Sequence, residues 1–387
     1  MKRKLCAVTG TRSEYGLLVP LLKAVEREPD FTLQLTATGA HLSPEFGLTY
    51  REIEQDGFQI DRKIETLLSS DTPVGIAKSI GLGVIGFAEA FDQLRPDLLL
   101  LLGDRYEILA AAQAALVMKI PIAHIGGGDT TLGAFDEAIR HSVTKMAHLH
   151  FVTNGESARR VRQLGENPRH IYNVGSLGID RILSLPHLSR EELERSLGFS
   201  FRSRNLLVTF HPVTLDREPS GKQFQELLAA LDALGEEYGL IFTGPNADPQ
   251  SRELTRLTRE FAAEHPNAAV FSSLGQTRYF SLIRETDAVV GNSSSGIYEA
   301  PSFRKPAVNV GDRQQGRLFA SSVISCAPQK TEILKAIRRA LETDCSKAVN
   351  PYGAGDSAEK ILSVLKSIPD YRALLKKQFD PIRSDDK

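Results

Sequence analysis

Three scarcities narrow the reading of this 387-residue chain. It has only three cysteines, Cys6, Cys326 and Cys345. Their spacings fit neither a disulfide framework nor a zinc motif, so a reducing compartment is the simplest setting. It has no excess of either charge: 47 basic residues against 48 acidic ones leave a net charge of −1, and no global field favours nucleic acid or an anionic membrane. It has no uninterrupted apolar stretch near the roughly 20 residues of a membrane helix, and the apolar run in the basic start, MKRKLCAVTGTR, is too short for a signal peptide. A cytoplasmic protein with neither nucleic-acid nor membrane partners is the expectation. Solenoid-length repeats and low-complexity runs are missing as well.

What remains is ordinary globular composition, 41% hydrophobic and 25% charged, with roughly two domains' worth of length. Short apolar runs alternate with longer amphipathic segments: KLCAV, FTLQLTA, DLLLLL, IPIAHI and LHFVT, then NLLVTF, YGLIFT, AAVFSS, DAVVGN and PAVNV. Continuous runs of this kind suit parallel strands buried on both faces by helices, so the fold class is α/β with two Rossmann-like domains. The stretch between Val174 and Asn205 is helical in pattern, which puts the domain boundary near 180. The expected division is an N-terminal domain over 1–180, a C-terminal one over 181–365 and a tail over 366–387. A helix opening on Thr72 and Pro73 should end before Pro96. A last helical pattern, SAEKILSVLKSI, could pack back across the first domain.

Open α/β sheets bind ligands at the carboxyl ends of their strands, here in the crevice between two halves. At the first strand end, VTGTRSEYG sets Arg12 beside a helix start, which fits either a phosphate site or a simple βα turn with a surface arginine. At another, LLLLLGDRYEIL offers Asp104, Arg105 and Glu107 as they leave an intensely apolar strand. A carboxylate there suits general acid or base work when partly desolvated, and equally suits a helix cap. The stretch HIGGGDTTLGAFDEAIRHSVTK then adds three glycines, Gly126 to Gly128, and a helix with Asp136 and Glu137 in its first turn. Asp136, Arg140 and Thr144 share one helical face, so Asp136 and Arg140 can pair. Dipole-complementing acids explain Glu137 but leave the glycines unexplained. His124, His141, His148 and His150 lack the spacing of a metal motif, and no metal is expected.

In the second half, VTFHPVT puts His211 at a strand end, as a donor to phosphate or sugar or as a structural histidine. FTGPNADPQS places Asn246 in a loop before a helix. DAVVGNSSSGIYEAPSFRKPAVNVGDRQQGR ends a strand on Gly291 and Asn292 and starts a helix at Ser293, Ser294 and Ser295. These hydroxyls could cradle a diphosphate, with Glu299 about one turn on for ribose hydroxyls, or could simply cap the helix. A second strand end nearby supplies Gly311, Asp312 and Arg313, and a nucleotide bound in the second domain is the economical account.

Taken in order, GTRSEYG, GDRYE, GGGD with FDEAIRHSVTK, FHPVT, GNSSSGIYE and NVGDRQQGR resemble the hydrolysing UDP-N-acetylglucosamine 2-epimerases over residues 1 to about 370. GDR with HPVT is similar to that branch rather than to the non-hydrolysing one, which typically carries GDT and HRREN. The resemblance implies the GT-B arrangement of two Rossmann-like domains, with the active site in the interdomain cleft. It implies no cofactor, a UDP-sugar substrate, and a homodimer or homotetramer. The implied reaction converts UDP-N-acetylglucosamine and water to N-acetylmannosamine and UDP through a glycal-like intermediate, in sialic and related nonulosonic acid synthesis. It places catalytic carboxylates at Asp104 and Asp136, and nucleotide contacts at Arg12, Arg105, His211, Asn246, Ser293, Ser294, Glu299 and Arg313. Many members carry a glutamate where this chain has Gly126. Asp129, aligned with a glutamate found just after it in some hydrolysing members, takes that third catalytic place. UDP-2,4-diacetamido-2,4,6-trideoxyglucose is the alternative substrate. A GT-B glycosyltransferase and a silent nucleotide-sugar sensor are the readings from other classes.

Overall fold

A run of five leucines, Leu98–Leu102, is buried throughout, and a strand of that composition needs helices on both faces. The computed structural model describes residues 2–68, 72–130, 135–212, 220–244, 251–271 and 274–381. Its strands form two parallel sheets. The first contains β1 (Arg3–Thr9), β2 (Phe31–Thr38), β3 (Arg62–Ile64), β4 (Leu98–Leu102), β5 (Ile122–Ile125), β6 (Leu149–Val152) and β7 (Ile171–Asn173), in the order β3-β2-β1-β4-β5-β6-β7. The second contains β8 (Arg204–Thr209), β9 (Tyr238–Thr243), β10 (Ala268–Phe271), β11 (Ala288–Gly291), β12 (Ala307–Val310) and β13 (Val323–Cys326), in the order β10-β9-β8-β11-β12-β13. Both orders are doubly wound. The chain runs outward one way from β1 and β8, then returns to start the other half at β4 and β11, so each sheet has a switch point where flanking loops diverge.

All ten apolar runs read from the sequence are strands. The three it does not announce, β3, β7 and β13, have three or four residues and lie at or near sheet edges. Segments that short carry no measurable periodicity.

The chain divides into one compact unit of residues 1–181 with 355–387 and another of 182–354. The expected boundary at 365 is therefore corrected, because the Ser357–Ser367 helix belongs to the first unit. Asp180 caps it, its carboxylate accepting from the backbone N–H groups of Ser357 (3.1 Å) and Ala358 (2.8 Å). Arg3 Nη1 donates to the carbonyl of Ile368 at 2.6 Å. Further on, Lys377 Nζ reaches Glu166 at 2.6 Å, and the Asp380 N–H donates to the Gly165 carbonyl at 2.9 Å.

The Pro73–Leu94 helix begins as its sequence predicts, with the Thr72 hydroxyl accepting from the Gly75 N–H at 3.1 Å. Its end follows Leu94, where Arg95 turns left-handed before Pro96. By length and composition this helix could cross a bilayer, but Lys78, Glu89 and Asp92 interrupt it, so it is not an uninterrupted apolar stretch, and a third of its most apolar stretch is buried inside the fold. Phe87, Phe91 and Leu94 pack into the core formed with Leu99, Leu101 and Ile108.

Candidate active site

The residues singled out in the first half lie at the carboxyl ends of β1, β4 and β5. Leaving β1, Thr11 and Glu14 cap the Arg12–Arg27 helix reciprocally, Thr11 Oγ accepting from the Glu14 N–H and Glu14 Oε2 from the Thr11 N–H. Glu14 Oε2 also accepts from the Gly10 N–H at 2.9 Å, while Oε1 is buried without a partner. Burial, aided by the nearby Glu107 carboxylate, pushes the Glu14 carboxyl up to about 7. Glu107 is itself buried and grips the Arg105 guanidinium with both oxygens, at 3.2 Å from Nε and 3.1 Å from Nη2. Arg105 is thereby a pre-oriented donor fork. Arg12 projects from the same end, mostly exposed, with its Nε 2.9 Å from Glu52.

Beside this, Gly103 (φ +81°) turns the chain as it leaves β4 and presents Asp104. The Asp104 carboxylate pairs with Arg140 Nη2. Burial pushes the Asp104 carboxyl up, Arg140 pulls it down and Asp136 pushes it up again, and the net direction is upward. Asp104, Asp136 and Arg140 thus form one electrostatic cluster. The pairing of Asp136 with Arg140 expected from helical spacing is corrected: Arg140 Nη1 instead reaches Glu137 at 3.4 Å and donates to the Asp129 carbonyl at 2.8 Å. Glu137, read as a dipole-complementing acid, is therefore a partner of the central arginine. The Asp129 carboxylate accepts on Oδ1 from two hydroxyls, Thr153 at 2.6 Å and Ser157 at 2.5 Å.

The three glycines have three different reasons. Gly126 and Gly128 are left-handed, at φ +82° and +80°. A Cβ at Gly126 would meet open space, whereas one at Gly128 would lie 2.3 Å from the Ser157 carbonyl oxygen. Gly127 packs over a hydrogen bond, its Cβ position lying 2.8 Å from Thr144 Oγ1 and 3.1 Å from His124 Nδ1. His124 is fully buried, and burial pushes its imidazole down to about 3, so the ring is neutral. Its Nε2 faces the Gly103 carbonyl at 2.8 Å, which can only accept, so the ring proton sits on Nε2. The Thr144 hydroxyl lies 3.0 Å from Nδ1 and 2.9 Å from the Arg140 carbonyl, so its one proton is shared between those two acceptors. His124 therefore clamps the backbone immediately before Asp104.

The other histidines have separate structural partners: His148 Nδ1 accepts from the Ile122 N–H (3.1 Å), His150 meets Glu166 (2.9 Å) and His141 meets Glu137 (3.1 Å).

In the second unit the switch point between β8 and β11 opens into a cavity of about 440 Å³. His211, Ser293, Ser294 and Glu299 all line it, as do Gln276, Tyr279 and Phe280, which the sequence reading missed. Gly291 permits the strands to meet: at φ +135°, a Cβ there would lie 1.9 Å from the Thr209 carbonyl oxygen. Asn292, fully buried, locks His211 by accepting from its N–H at 2.6 Å and donating to its carbonyl at 2.8 Å. Arg313 lies outside the lining but donates to the Asn292 carbonyl at 3.2 Å, beside Gln314 at 2.8 Å. Asn246 lies outside the described residues. The expected serine helix is a four-residue turn, Ser295–Tyr298, with Ser293 Oγ accepting from the Ser295 N–H. In the Glu299 side chain that lines the cavity, burial pushes the carboxyl up, and Oε2 is buried without a partner. An unsatisfied buried acceptor lining a cavity calls for hydroxyl donors from a ligand. Burial raises the Tyr279 hydroxyl to about 12, so it is present as a neutral donor near Ser293, Ser295 and Thr209.

Comparison with known proteins identifies the family. A family model described as UDP-N-acetylglucosamine 2-epimerase matches residues 23–366. The chain is 43% identical, over 84% of its own length and 84% of the relative's, to the GDP/UDP-N,N'-diacetylbacillosamine 2-epimerase (hydrolyzing) of Campylobacter jejuni. It is 36% identical to the UDP-N,N'-diacetylbacillosamine 2-epimerase (hydrolyzing) of Legionella pneumophila, covering 97% of this chain and 99% of the other. Among solved structures it is similar to a UDP-GlcNAc 2-epimerase from Neisseria meningitidis bound to UDP-GlcNAc, with TM-score 0.77, 17% identity and coverage of 94% and 100%. That last likeness concerns the fold, the paired Rossmann-like units of the GT-B class.

Proposed function

Since the chain belongs to the UDP-N-acetylglucosamine 2-epimerase family, in its hydrolysing branch, we propose that it hydrolyses a UDP-linked 2-acetamido sugar with inversion at C2, and that the sugar is N,N'-diacetylbacillosamine, 2,4-diacetamido-2,4,6-trideoxyglucose. The observation that carries the reading is the Asp104–Arg140 pair at the ends of β4 and β5, with the Asp136 carboxylate close enough to push the Asp104 carboxyl up. The names of the two relatives support the sugar.

In this reading a carboxylate of the pair takes the C2 proton while the C1–O bond breaks and its electrons leave on the diphosphate. The product is a glycal-like C1=C2 alkene. Water then adds, its oxygen to C1, and a carboxyl of the set returns a proton to C2 on the opposite face. Arg140 limits the charge that accumulates as the acids trade protons. Asp129, latched by Thr153 and Ser157 beside the same arginine, is the third acid of the set. Arg105, held open by Glu107, and Arg12 are assigned to anionic or amide oxygens of the substrate. In the second unit, Glu299 accepts from ribose hydroxyls, Ser293 and Ser294 donate to the diphosphate, and His211 is a donor fixed by Asn292 and, through it, Arg313.

The second reading, UDP-N-acetylglucosamine with N-acetylmannosamine as product, rests on the description of the family model. One experiment separates them: the protein is given each UDP-sugar, and the GDP-linked form of the first, in D₂O and followed by NMR. Free 2,4-diacetamido-2,4,6-trideoxymannose deuterated at C2 is expected, with UDP released in equal amount. Preferred turnover of UDP-N-acetylglucosamine would reassign the sugar. UDP release without C2 exchange would overturn the mechanism, and acceptor-dependent turnover without exchange would indicate a glycosyltransferase.

A further inference from the structure

The helix that carries Asp136, Glu137 and Arg140 is held at its other end by the C-terminal tail. Lys377 Nζ donates to the carbonyls of Lys145 and Ala147, each at 2.6 Å, and lies 2.6 Å from Glu166 Oε2. An ammonium has three N–H donors, and all three are used here. The two carbonyls belong to the last turn of the Asp136–Met146 helix and to its cap, Ala147. Carbonyls at a helix C-terminus lack intrahelical partners and carry the negative end of its dipole, so a cation is their natural complement.

Glu166, 1% exposed, ties three elements together. Its Oε1 accepts from Lys145 Nζ of the helix at 2.8 Å, and its Oε2 accepts from His150 Nε2 of β6 at 2.9 Å as well as from Lys377. Burial pushes the Glu166 carboxyl up, but hydrogen bonds from His150, Lys145 and Lys377 outweigh it and hold the carboxyl down at about 2, so Glu166 is ionised at neutral pH. Beyond Lys377, Phe379 covers Gly165, where a Cβ would run into the ring, and the Asp380 N–H donates to the Gly165 carbonyl. Apolar side chains would dock a tail at a lower desolvation cost than a buried ion pair. What the pair adds is a defined position, since three directed donors are satisfied together in one place only.

We propose that Lys377 is a positioning residue: by gripping the final carbonyls of this helix it fixes the helix along its axis, so that Arg140 meets Asp104. Arg140 lies five residues before Lys145, about 7.5 Å along the axis. Between them the Thr144 hydroxyl lies 3.0 Å from His124 Nδ1, a second fastening on the same helix. The consequence for turnover rests on the acid–base role given above to Asp104 and Asp136, whereas the grip itself is independent of any substrate.

The test compares wild type with Lys377→Met, which keeps a long stem and loses the donors, and with Lys377→Arg, which keeps the charge. Amide hydrogen exchange followed by mass spectrometry needs no substrate. Peptides covering 136–146 should exchange about tenfold faster in Lys377→Met, with peptides of the second unit unchanged. With the UDP-sugar, kcat should fall about tenfold or more while the dissociation constant for UDP stays within about twofold, the nucleotide being assigned to the other unit. Because Arg140 draws the Asp104 carboxyl down against its burial, a displaced Arg140 should move the acid limb of kcat/KM to higher pH, which loss of folded protein alone would not do. Lys377→Arg should recover turnover to within about threefold of wild type. Unchanged exchange over 136–146 would overturn the grip. Faster exchange with wild-type kcat, or a fall in kcat matched by weaker UDP binding and an unmoved acid limb, would overturn the positioning role. A wild type that turns over no UDP-sugar would overturn the proposed reaction instead, and exchange over 136–146 would then decide the grip by itself.

Discussion

Alanine placed in turn at Gly126, Gly127 and Gly128 should produce three distinct results, although the substitutions are chemically identical and adjacent. At Gly126 the only penalty is the left-handed backbone, because its Cβ would meet open space; the cost is about 1–2 kcal/mol. At Gly128 the same backbone penalty adds to a 2.3 Å approach to the Ser157 carbonyl oxygen, and relieving an overlap with backbone costs a further ~1–3 kcal/mol, about 3 kcal/mol or more in total. At Gly127 the backbone is ordinary, but the methyl would push Thr144 Oγ1 away from His124 Nδ1, starting from 2.8 Å and 3.1 Å. Losing that hydrogen bond costs about 1 kcal/mol, largely offset by the reduced freedom of the unfolded chain. Stability read from the urea transition of the first unit, followed by circular dichroism, should therefore rank Gly128→Ala well below Gly126→Ala, with Gly127→Ala near wild type. Turnover should rank differently, because Gly127→Ala disturbs the clamp on Gly103 beside Asp104 and should lose roughly tenfold or more in kcat, as misplaced catalytic groups do. Equal destabilisation at 126 and 128, or full turnover by Gly127→Ala, would refute the reasoning.

Asp104→Asn and Asp136→Asn should each lose orders of magnitude in turnover while UDP affinity, measured by calorimetry, stays within about threefold of wild type; unchanged turnover removes that residue from the acid–base set. Glu299→Ala should weaken UDP binding about tenfold or more while leaving 2′-deoxy-UDP less affected, since the orphaned oxygen is assigned to ribose hydroxyls. Glu14 has a raised folded pKa of about 7, so between about 4.5 and 7 the folded state binds more protons than the unfolded one and stability falls as pH rises. Glu14→Gln should abolish that fall, giving a higher urea midpoint than wild type at pH 8 but no gain at pH 4.5; an equal change at both would count against it. His41, His124 and His148 are pushed down by burial to about 4, 3 and 4. Below the ordinary histidine value of about 6.5 the unfolded chain therefore binds more protons, and stability should decline steadily as pH drops through that window, a slope that melting curves from pH 7 to 4 would measure.

The candidate site was only partly legible in the chain. GDR, GGGD and GNSSS mark strand ends because an apolar run followed by glycine and polar residues has few other ways to fold, and Asp104, Asp136, His211 and Glu299 were singled out as candidates by that route. Tyr279 and Phe280 sit inside an amphipathic helix, Gly275–Glu285, where nothing local distinguishes a cavity wall from a core face. His124 was visible as a strand histidine, but its duty depends on the Gly103 carbonyl 21 residues away. The error over Arg140 is instructive in the same way. Helical spacing offers Asp136 and Glu137 alike, and the neighbour that outranks Asp136 arrives from a different strand.

By itself, the order of residues determined where strands alternate with helices, and so two doubly wound parallel sheets with polar loops at their carboxyl ends. The alternation of apolar runs and amphipathic segments is a local property, set by periods of two and 3.6 that need no partner to be read. Only the tertiary structure decided which loop residues meet. Asp104 reaches Arg140 across 36 residues, Asn292 locks His211 across 81, and Asp180 captures the Ser357–Ser367 helix across 177. The first two meetings follow from strand order, which places β5 next to β4 and β11 next to β8. Strand order depends on long-range packing and loop closure, which short-range periodicity does not record.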